Sequence, residues 1–430
     1  MNRKGDHSQD KWGAINNAMK RRRMAVLGLQ ETHPSNELQK TIGRRFWNTL
    51  HVVHSTDPQD PGRTGGVSIV IHKGLINTKN MTHQEVIPGR VILMEIPWGG
   101  DNKLQIMNVY APTRNTEKAV FWSRLLEIIE NDENLCPDIV LGDLNLVENP
   151  EIDRLNNRRG TDPTAAREAL TNLTVKLDLT DGWRRRHPTK RGYTFRGESQ
   201  SRLDRIYAKE DIYQWCTEWK IEHPSFKTDH NLVSVMVTSE NMPFIAKGRW
   251  AIPVGLMKNK WLKKETQRLA RQLQTEVNQV TPENHPNHDP QLALKTFKTR
   301  VVTLYRGYQR THQPKLENAI RSLRKELEHK ADTPNLTVDE IQEQSKLIAE
   351  RIEAFEKKRR DGARLLYNAR NRLEGETMSK HWVRSAREST LCDTIQALRN
   401  PLQNPTQRET GSDKMAEMAR EYHEKLLTLD

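Results

Sequence analysis

Seven polar residues, Glu31, Tyr110, Asp143, Asn145, Asp204, Asp229 and His230, each follow or lie within a short apolar stretch. The stretches form five islands: MAVLGLQETH at 24–33, LQIMNVYAPT at 104–113, DIVLGDLN at 138–145, SRLDRIY at 201–207 and FKTDHNLVSVMV at 226–237. No other feature constrains the fold as strongly, because one sheet assembly would have to carry all seven side chains to a common rim. Val26, Leu27 and Leu29 before Glu31, and Ile139, Val140 and Leu141 before Asp143, are the runs expected of strands buried on both faces. A carboxylate just past such a strand is rarely core, since an unpaired buried charge is expensive.

Taken singly, a strand-end carboxylate is most often a turn residue or a helix cap, and His230 alone would pass for a structural histidine. Together the islands hold four carboxylates, an imidazole, an amide and a phenol, the set that metal-assisted phosphodiester cleavage requires. Hard oxygen ligands hold Mg²⁺, which neutralises phosphate charge and acidifies a bound water. An Asp and His pair supplies base and electrophile.

Between the islands the pattern alternates strands and helices. KWGAINNAMKRRR (11–23) has Trp12, Ile15 and Met19 at helical spacing and ends in a basic cluster suited to a helix C-terminus, with a localisation signal as the competing reading. GGVSIVIHKG (65–74) reads as a strand, and RVILMEIPW (90–98) with LQIMNVYAP flanks GGDN as a hairpin. Residues 116–131 and 163–179 are amphipathic helices. This order fits two packed sheets flanked by helices. Proline, glycine and tryptophan at 243–255 mark a boundary, giving domains 1–240 and 241–430. Beyond it strands give out, ENHPNHDP (283–290) breaks two helical stretches, and a capping box at Thr337–Glu340 opens a helix running to about Leu373. Its apolar face, with Leu347, Ile348, Ile352, Phe355, Leu365 and Leu366, suits a helical hairpin or short coiled coil, but sustained heptads are not visible and a monomer is expected.

Composition narrows the classes. No run of eighteen apolar residues exists and the N-terminus is polar, so neither a transmembrane helix nor a signal peptide is expected, and no membrane partner. Cys136, Cys216 and Cys392 are isolated, with no zinc-type spacing, which suits a reducing compartment. Net charge is +13, and residues 241–430 hold 35 Lys+Arg against 25 Asp+Glu, or +10, leaving +3 for residues 1–240. A basic flank of this kind either captures nucleic acid electrostatically or is a solvated helical surface.

QETH at 30–33, NVYAP at 108–112, GDLN at 142–145, SRLD at 201–204 and TDH at 228–230 resemble the motifs of the endonuclease/exonuclease/phosphatase superfamily. The similarity is greatest to the apurinic-type endonuclease domain of non-LTR (LINE-type) retrotransposon polyproteins, and it covers roughly residues 1–240. The resemblance implies an α+β fold, a four-layer α/β/β/α sandwich of two packed sheets (DNase I-like), followed here by an α-helical basic region. It implies that Glu31 binds the metal, with Asp229 a further carboxylate of the metal site. Tyr110 resembles the tyrosine on the scissile phosphate, Asp143 the water-activating aspartate and Asn145 its orienting amide. Asp204 resembles the residue that orients the histidine, and His230 the histidine on the phosphate.

Asn2 matches the family's first catalytic asparagine with only Met1 ahead of it, so the strand that precedes that asparagine in the family is expected to be absent. Lys4 stands where some members have a second carboxylate, and Thr228 replaces a more frequent serine while keeping the hydroxyl. EGETMSKHWVRSARES (374–389) and MAEMAREYHEKLL (415–427) resemble the segment preceding the reverse transcriptase in these polyproteins, and no Tyr/Phe-x-Asp-Asp pair occurs. The leading expectation is a Mg²⁺-dependent (or Mn²⁺-dependent) DNA endonuclease that leaves a 3′-hydroxyl primer for retrotransposition. It would act on target DNA, take element RNA through the basic helices and reside in the nucleus. The alternatives are a phosphoesterase acting on a small phosphoester, and an inactive element remnant that binds nucleic acid weakly.

Overall fold

Alternation along the strands sorts their apolar side chains into three cores, and three cores make four layers. The computed structural model describes residues 4–427 apart from 34, 61–64, 99–101, 156–161, 198–199, 225–227, most of 239–258, 279–288, 312–314, 331–337 and most of 375–411. Strands β1 (Val26–Gln30), β2 (Leu50–Ser55) and β3 (Val67–His72) form an antiparallel sheet in the order β1-β3-β2. A second sheet joins β4 (Thr82–Ile87), β5 (Val91–Pro97), β6 (Lys103–Tyr110), β7 (Ile139–Asp143), β8 (Leu179–Asp181) and β11 (Asp204–Lys209) in the order β4-β5-β6-β7-β11-β8. Two short strands, β9 (Phe195–Arg196) and β10 (Gln200–Ser201), pair with each other, as do β12 (Cys216–Glu222) and β13 (Leu232–Val237).

Val67, Ile69 and Ile71 of β3 point into a core between the sheets, where they meet Ile92, Met94 and Ile106. Val70, on the opposite face, joins Trp12, Ile15 and Met19 of helix α1 (Lys4–Arg22) and Phe46 of α2 (Asn36–Phe46). The large sheet is two-faced in the same way: Met107, Val109 and Val140 pack against Trp122 and Leu125 of α3 (Asn115–Asn131) and Leu170 of α5 (Thr164–Lys176). Short helices α4 (Pro150–Asp153), α6 (Gly182–Arg186) and α7 (Glu210–Tyr213) fill connections. Leu232 of β13 packs in the α1/α2 core while Val233 and Val235 enter the inter-sheet core, so β13 lies in the layer of β1 and β3. The result is the α/β/β/α sandwich. Truncating a side chain as enclosed as Leu125 would cost about 2–5 kcal/mol.

One expectation needs correction. Of the run before Glu31 only Leu27 is buried, and Val26 and Leu29 are half-buried. Among the described residues β1 pairs with β3 alone, and side chains beside an unpaired edge lack the neighbours that a second flanking strand supplies. Asn2 lies outside the described residues. The expected hairpin is the antiparallel pair β5–β6, and both expected amphipathic helices form.

Helices α8 (Lys260–Asn278), α9 (Pro290–Thr311), α10 (Lys315–Lys330) and α11 (Val338–Glu374) follow, with a last helix at Ser412–Leu427. Contacts divide the chain into two units, Met1–Pro243 with Leu323–Asp430, and Phe244–Ser322. On α11, Ile348 and Ile352 are buried as expected, but Leu347 is 54% exposed, and the side chains of Leu365 and Leu366 lie outside the described residues. Among the described residues no helix is long and apolar enough to cross a membrane.

Candidate active site

Strand register assembles the site. Tyr110 closes β6 directly across the parallel ladder from Asp143, the last residue of β7. Asp143 is in turn the antiparallel partner of Asp204, the first residue of β11. Tyr110, Ile139 and Ile206 face the inter-sheet core, and period-two alternation puts Asp143 and Asp204 on that same face. A phenol and two carboxylates thus form one row at the mouth of the space between the sheets. The row requires Gly142: at φ +144° a Cβ there would lie 1.9 Å from the Val109 carbonyl oxygen.

Glu31 arrives from the other sheet. A Cβ at Gly28 would lie 2.3 Å from Leu141 Cδ1 and 2.9 Å from Asn108 Oδ1, so only glycine lets β1 approach this closely. Asn108, fully buried, bridges the sheets: its Nδ2 donates to the carbonyls of Leu29 (3.2 Å) and Ser68 (3.0 Å), and its Oδ1 accepts from Gln30 Nε2 (2.6 Å). The chain then turns at Glu31 with φ +51°, an uncommon conformation for a residue with a Cβ, and the Tyr110 hydroxyl donates to Glu31 Oε1 at 2.6 Å.

The histidine is held from two sides. His230 Nδ1 bonds Asp204 Oδ2 at 2.8 Å, and its backbone N–H donates to Thr228 Oγ1 at 3.2 Å. Thr194 Oγ1 accepts from the backbone N–H groups of Leu203 and Asp204, both at 2.9 Å, which fixes the carboxylate that fixes the imidazole. Arg202 of SRLD anchors the start of β11, donating through Nε to Asp153 and through Nη1 to Asp181, each at 2.6 Å. Asn145, at φ +48°, donates its backbone N–H to Asp143 Oδ1 (3.0 Å) and its Nδ2 to the Ala111 carbonyl (2.9 Å). Asp229 is exposed and accepts from Thr228 Oγ1 at 3.5 Å.

Burial and crowding shift the titration of these groups. Burial, then the facing charge of Asp204, pushes the Asp143 carboxyl up to about 7. Burial disfavours the His230 cation, but the bond to Asp204 and the charges of Asp204, Asp143 and Asp229 outweigh it and raise the imidazole to about 9. Burial and Glu31 hold the Tyr110 phenol well above its ordinary value.

Ligating atoms of Asp143, Asp204 and His230 lie within 4.8 Å of one another. Glu31 stands outside this tight group but couples to it through Tyr110 and through its charge on Asp143. The donor set fits a hard divalent cation. Glu31, Asp143 and Asp204 bring three carboxyl groups beside one imidazole, the oxygen-rich set a hard cation takes, and burial followed by the facing Asp204 pushes the Asp143 carboxyl upward, a cost that a bound cation would offset. Sequence reading missed Asn108, Gln30 and Thr194. Asn108 had a readable signal, a polar residue between Met107 and Val109 in an otherwise apolar run, whereas nothing local marks Thr194.

Residues 12–230, just over half of the chain and spanning every described site residue, match the Endonuclease/Exonuclease/phosphatase family. The chain belongs to this family. Among relatives, the Xenopus laevis "Transposon TX1 uncharacterized 149 kDa protein" is 28% identical over 222 residues, covering 50% of this chain and only 16% of that protein's length. An AP endonuclease from Archaeoglobus fulgidus is similar in structure with a TM-score of 0.44 at 19% identity, covering 53% of this chain and 95% of that one. The endonuclease domain of TRAS1, a telomere-specific non-LTR retrotransposon, aligns with a TM-score of 0.37 at 16% identity, covering 53% and 92%.

Proposed function

We propose that this member of the endonuclease/exonuclease/phosphatase family is a divalent-metal-dependent DNA endonuclease. The observation that carries the reading is the Tyr110–Asp143–Asp204 row, with His230 pinned by one end and Glu31 by the other. Asp143, raised toward neutral pH, takes the proton of an attacking water. Asn145 cannot swing away from it, being tied to Asp143 and to Ala111. His230 stays cationic through neutral pH, and with Nδ1 committed to Asp204 it leaves the Nε2 proton for a phosphate oxygen. Tyr110 keeps Glu31 in place. We assign Glu31 to hold the metal, with Asp229 as a further carboxylate, and a bound Mg²⁺ or Mn²⁺ would supply charge neutralisation at the phosphate and a more acidic water.

The motif set and the similarity to the transposon TX1 protein support a narrower reading, the endonuclease portion of a non-LTR retrotransposon polyprotein. On that reading it nicks nuclear target DNA to leave a 3′-hydroxyl primer, and the basic helices add affinity for DNA and element RNA. The test is relaxation of supercoiled plasmid with Mg²⁺, with Mn²⁺ and in excess chelator, followed by extension of the nick with a polymerase. A nick that no polymerase extends would refute the primer role, and no metal-dependent nicking by the folded chain would refute the nuclease.

A further inference from the structure

The positive excess is concentrated. Residues 244–322 hold 15 Lys+Arg against 5 Asp+Glu, or +10, whereas residues 323–430 hold 20 against 20. Helices α8 and α9, each with one buried residue, Leu262 and Tyr305, pack against each other and carry ten Lys+Arg and two Glu between them. On this cationic pair sits an aromatic platform. Trp261 is 53% exposed and stacks on Tyr308 with ring centroids 5.7 Å apart and planes 26° from parallel. Asn259 Nδ2 donates to the Tyr308 hydroxyl at 2.8 Å, which fixes the ring beneath the indole.

Beside the platform lies an open groove of about 620 Å³ bordered by Trp261, Thr303, Leu304, Gly307, Tyr308 and Thr311. Gly307 is mid-helix, where glycine weakens the helix relative to alanine, yet a Cβ there would meet nothing within 4 Å. A solvated surface explains lysines and arginines, but not a half-exposed indole beside bare backbone. Cations following a strand plus aromatic faces open to one side is how single-stranded nucleic acid is held. In a duplex the base faces are already covered by their neighbours and could not stack here.

We propose that the α8–α9 pair is a binding site for single-stranded DNA, its bases stacking on the Trp261–Tyr308 platform and its phosphates neutralised by the surrounding Lys and Arg. The choice of DNA over RNA rests on the endonuclease reading, since a nick creates a strand end that is free to unpair from its complement. Binding itself needs no catalysis.

The experiment is fluorescence anisotropy with the full chain in chelator, so that nicking is silent and a failure of the endonuclease reading is seen separately. The probe is a labelled oligo(dT) of about 16 nucleotides, with oligo(rU) and a duplex of equal length alongside. Trp261→Ala should weaken oligo(dT) binding by roughly 5- to 150-fold, the worth of one stacked base, without changing the salt dependence. Lys264→Ala, one helical turn from Trp261, should instead flatten the salt slope by about 0.7. Gly307→Leu guards against misfolding: it should strengthen the helix and yet weaken binding, because it fills the groove. Unchanged oligo(dT) affinity in Trp261→Ala or in Gly307→Leu would overturn the proposal. So would an equal loss on the duplex, or tighter binding of oligo(rU) than of oligo(dT).

Discussion

Replacing Asp204 with Asn keeps the shape of its pair with His230 and removes the charge, so both neighbours of Asp204 must respond. The imidazole sits at about 9 against an ordinary 6.5, with burial opposing the cation and the 2.8 Å bond to Asp204 foremost in favouring it. That gap of about 2.5 units is worth about 3 kcal/mol in favour of the imidazolium. With the carboxylate gone, burial remains, and the His230 midpoint should fall to about 6.5 or below. Asp143, raised first by burial and next by Asp204, should fall as well. Both limbs of the nicking rate against pH should therefore move to lower pH together, and at pH 7 the rate should drop about fourfold or more, because a midpoint at or below about 6.5 leaves about a quarter or less of the imidazole charged. The sign also applies to stability. A raised folded-state value stabilises fully below 6.5 and the contribution is lost as pH rises through about 9, so the difference in melting temperature between parent and variant should vanish on the alkaline side. The measurements are an imidazole NMR titration in chelator and plasmid nicking across pH with Mg²⁺. A His230 midpoint that stays above about 8 in the variant, or an alkaline limb that does not move, would refute the reasoning.

Asp143→Ala and His230→Ala should each abolish nicking, by at least about 10²–10⁴-fold, while the chain still melts cooperatively. Near-parental rates in either folded variant would remove that residue from the chemistry. Glu31→Gln should need much more Mg²⁺, and Ca²⁺ should support cleavage poorly because its longer bonds loosen the geometry; full activity in excess chelator would rule out the metal. Gly142→Ala should lower stability by about 1–3 kcal/mol or more from backbone strain and the clash with Val109, against a control of Gly43→Ala, which meets nothing within 4 Å. Equal urea midpoints for the two would show that the β7 end is not rigid. His223, held neutral at about 3 first by burial and then by Arg196, bonds the Pro224 carbonyl at 2.6 Å. Its depressed value gives stability that is present above 6.5 and lost as pH falls toward about 3, at about 1.4 kcal/mol per unit. His223→Gln should therefore flatten the acid side of the stability curve, and identical curves would count against it.

The members of the candidate site that the fold brings together were legible because their signals are local. An apolar run followed at once by Glu31 or Asp143 announces a strand that ends in a charge, and alternation within NVYAP announces which residues share a face. What the islands do not carry is register. That Tyr110, Asp143 and Asp204 stand in one row depends on which strands pair and by how many residues they are offset. No short motif encodes that. The approach of the two sheets is likewise non-local, since it depends on Gly28 meeting Leu141 and Asn108, more than seventy positions away. Thr194 is the hardest case, because its hydroxyl matters only through two backbone N–H groups that the fold brings to it.

Charge averaged over a long stretch hid a division that contacts reveal. Residues 241–430 read as one basic region, yet the excess belongs to 244–322, and the electroneutral stretch after it groups with the first unit. That grouping is partly apolar, with Ile341 of α11 packed against Leu155 and Tyr193, and partly ionic. Glu356 of α11 is 1% exposed and receives Arg324 at 3.1 Å, Arg359, and Arg21 of α1 at 3.9 Å. A carboxylate so enclosed is tolerated only while its arginines remain, and removing one partner of such a cluster typically costs about 3–5 kcal/mol. The basic end of α1, with the Arg21-Arg22-Arg23 run that a localisation signal could have explained, is thereby partly spoken for: Arg21 faces Glu356, and Arg22 donates to Glu222 at 2.6 Å. The positive excess of the chain's second half lies on residues 244–322, so on the two readings proposed above affinity for nucleic acid and cleavage of it would fall to different units of one chain.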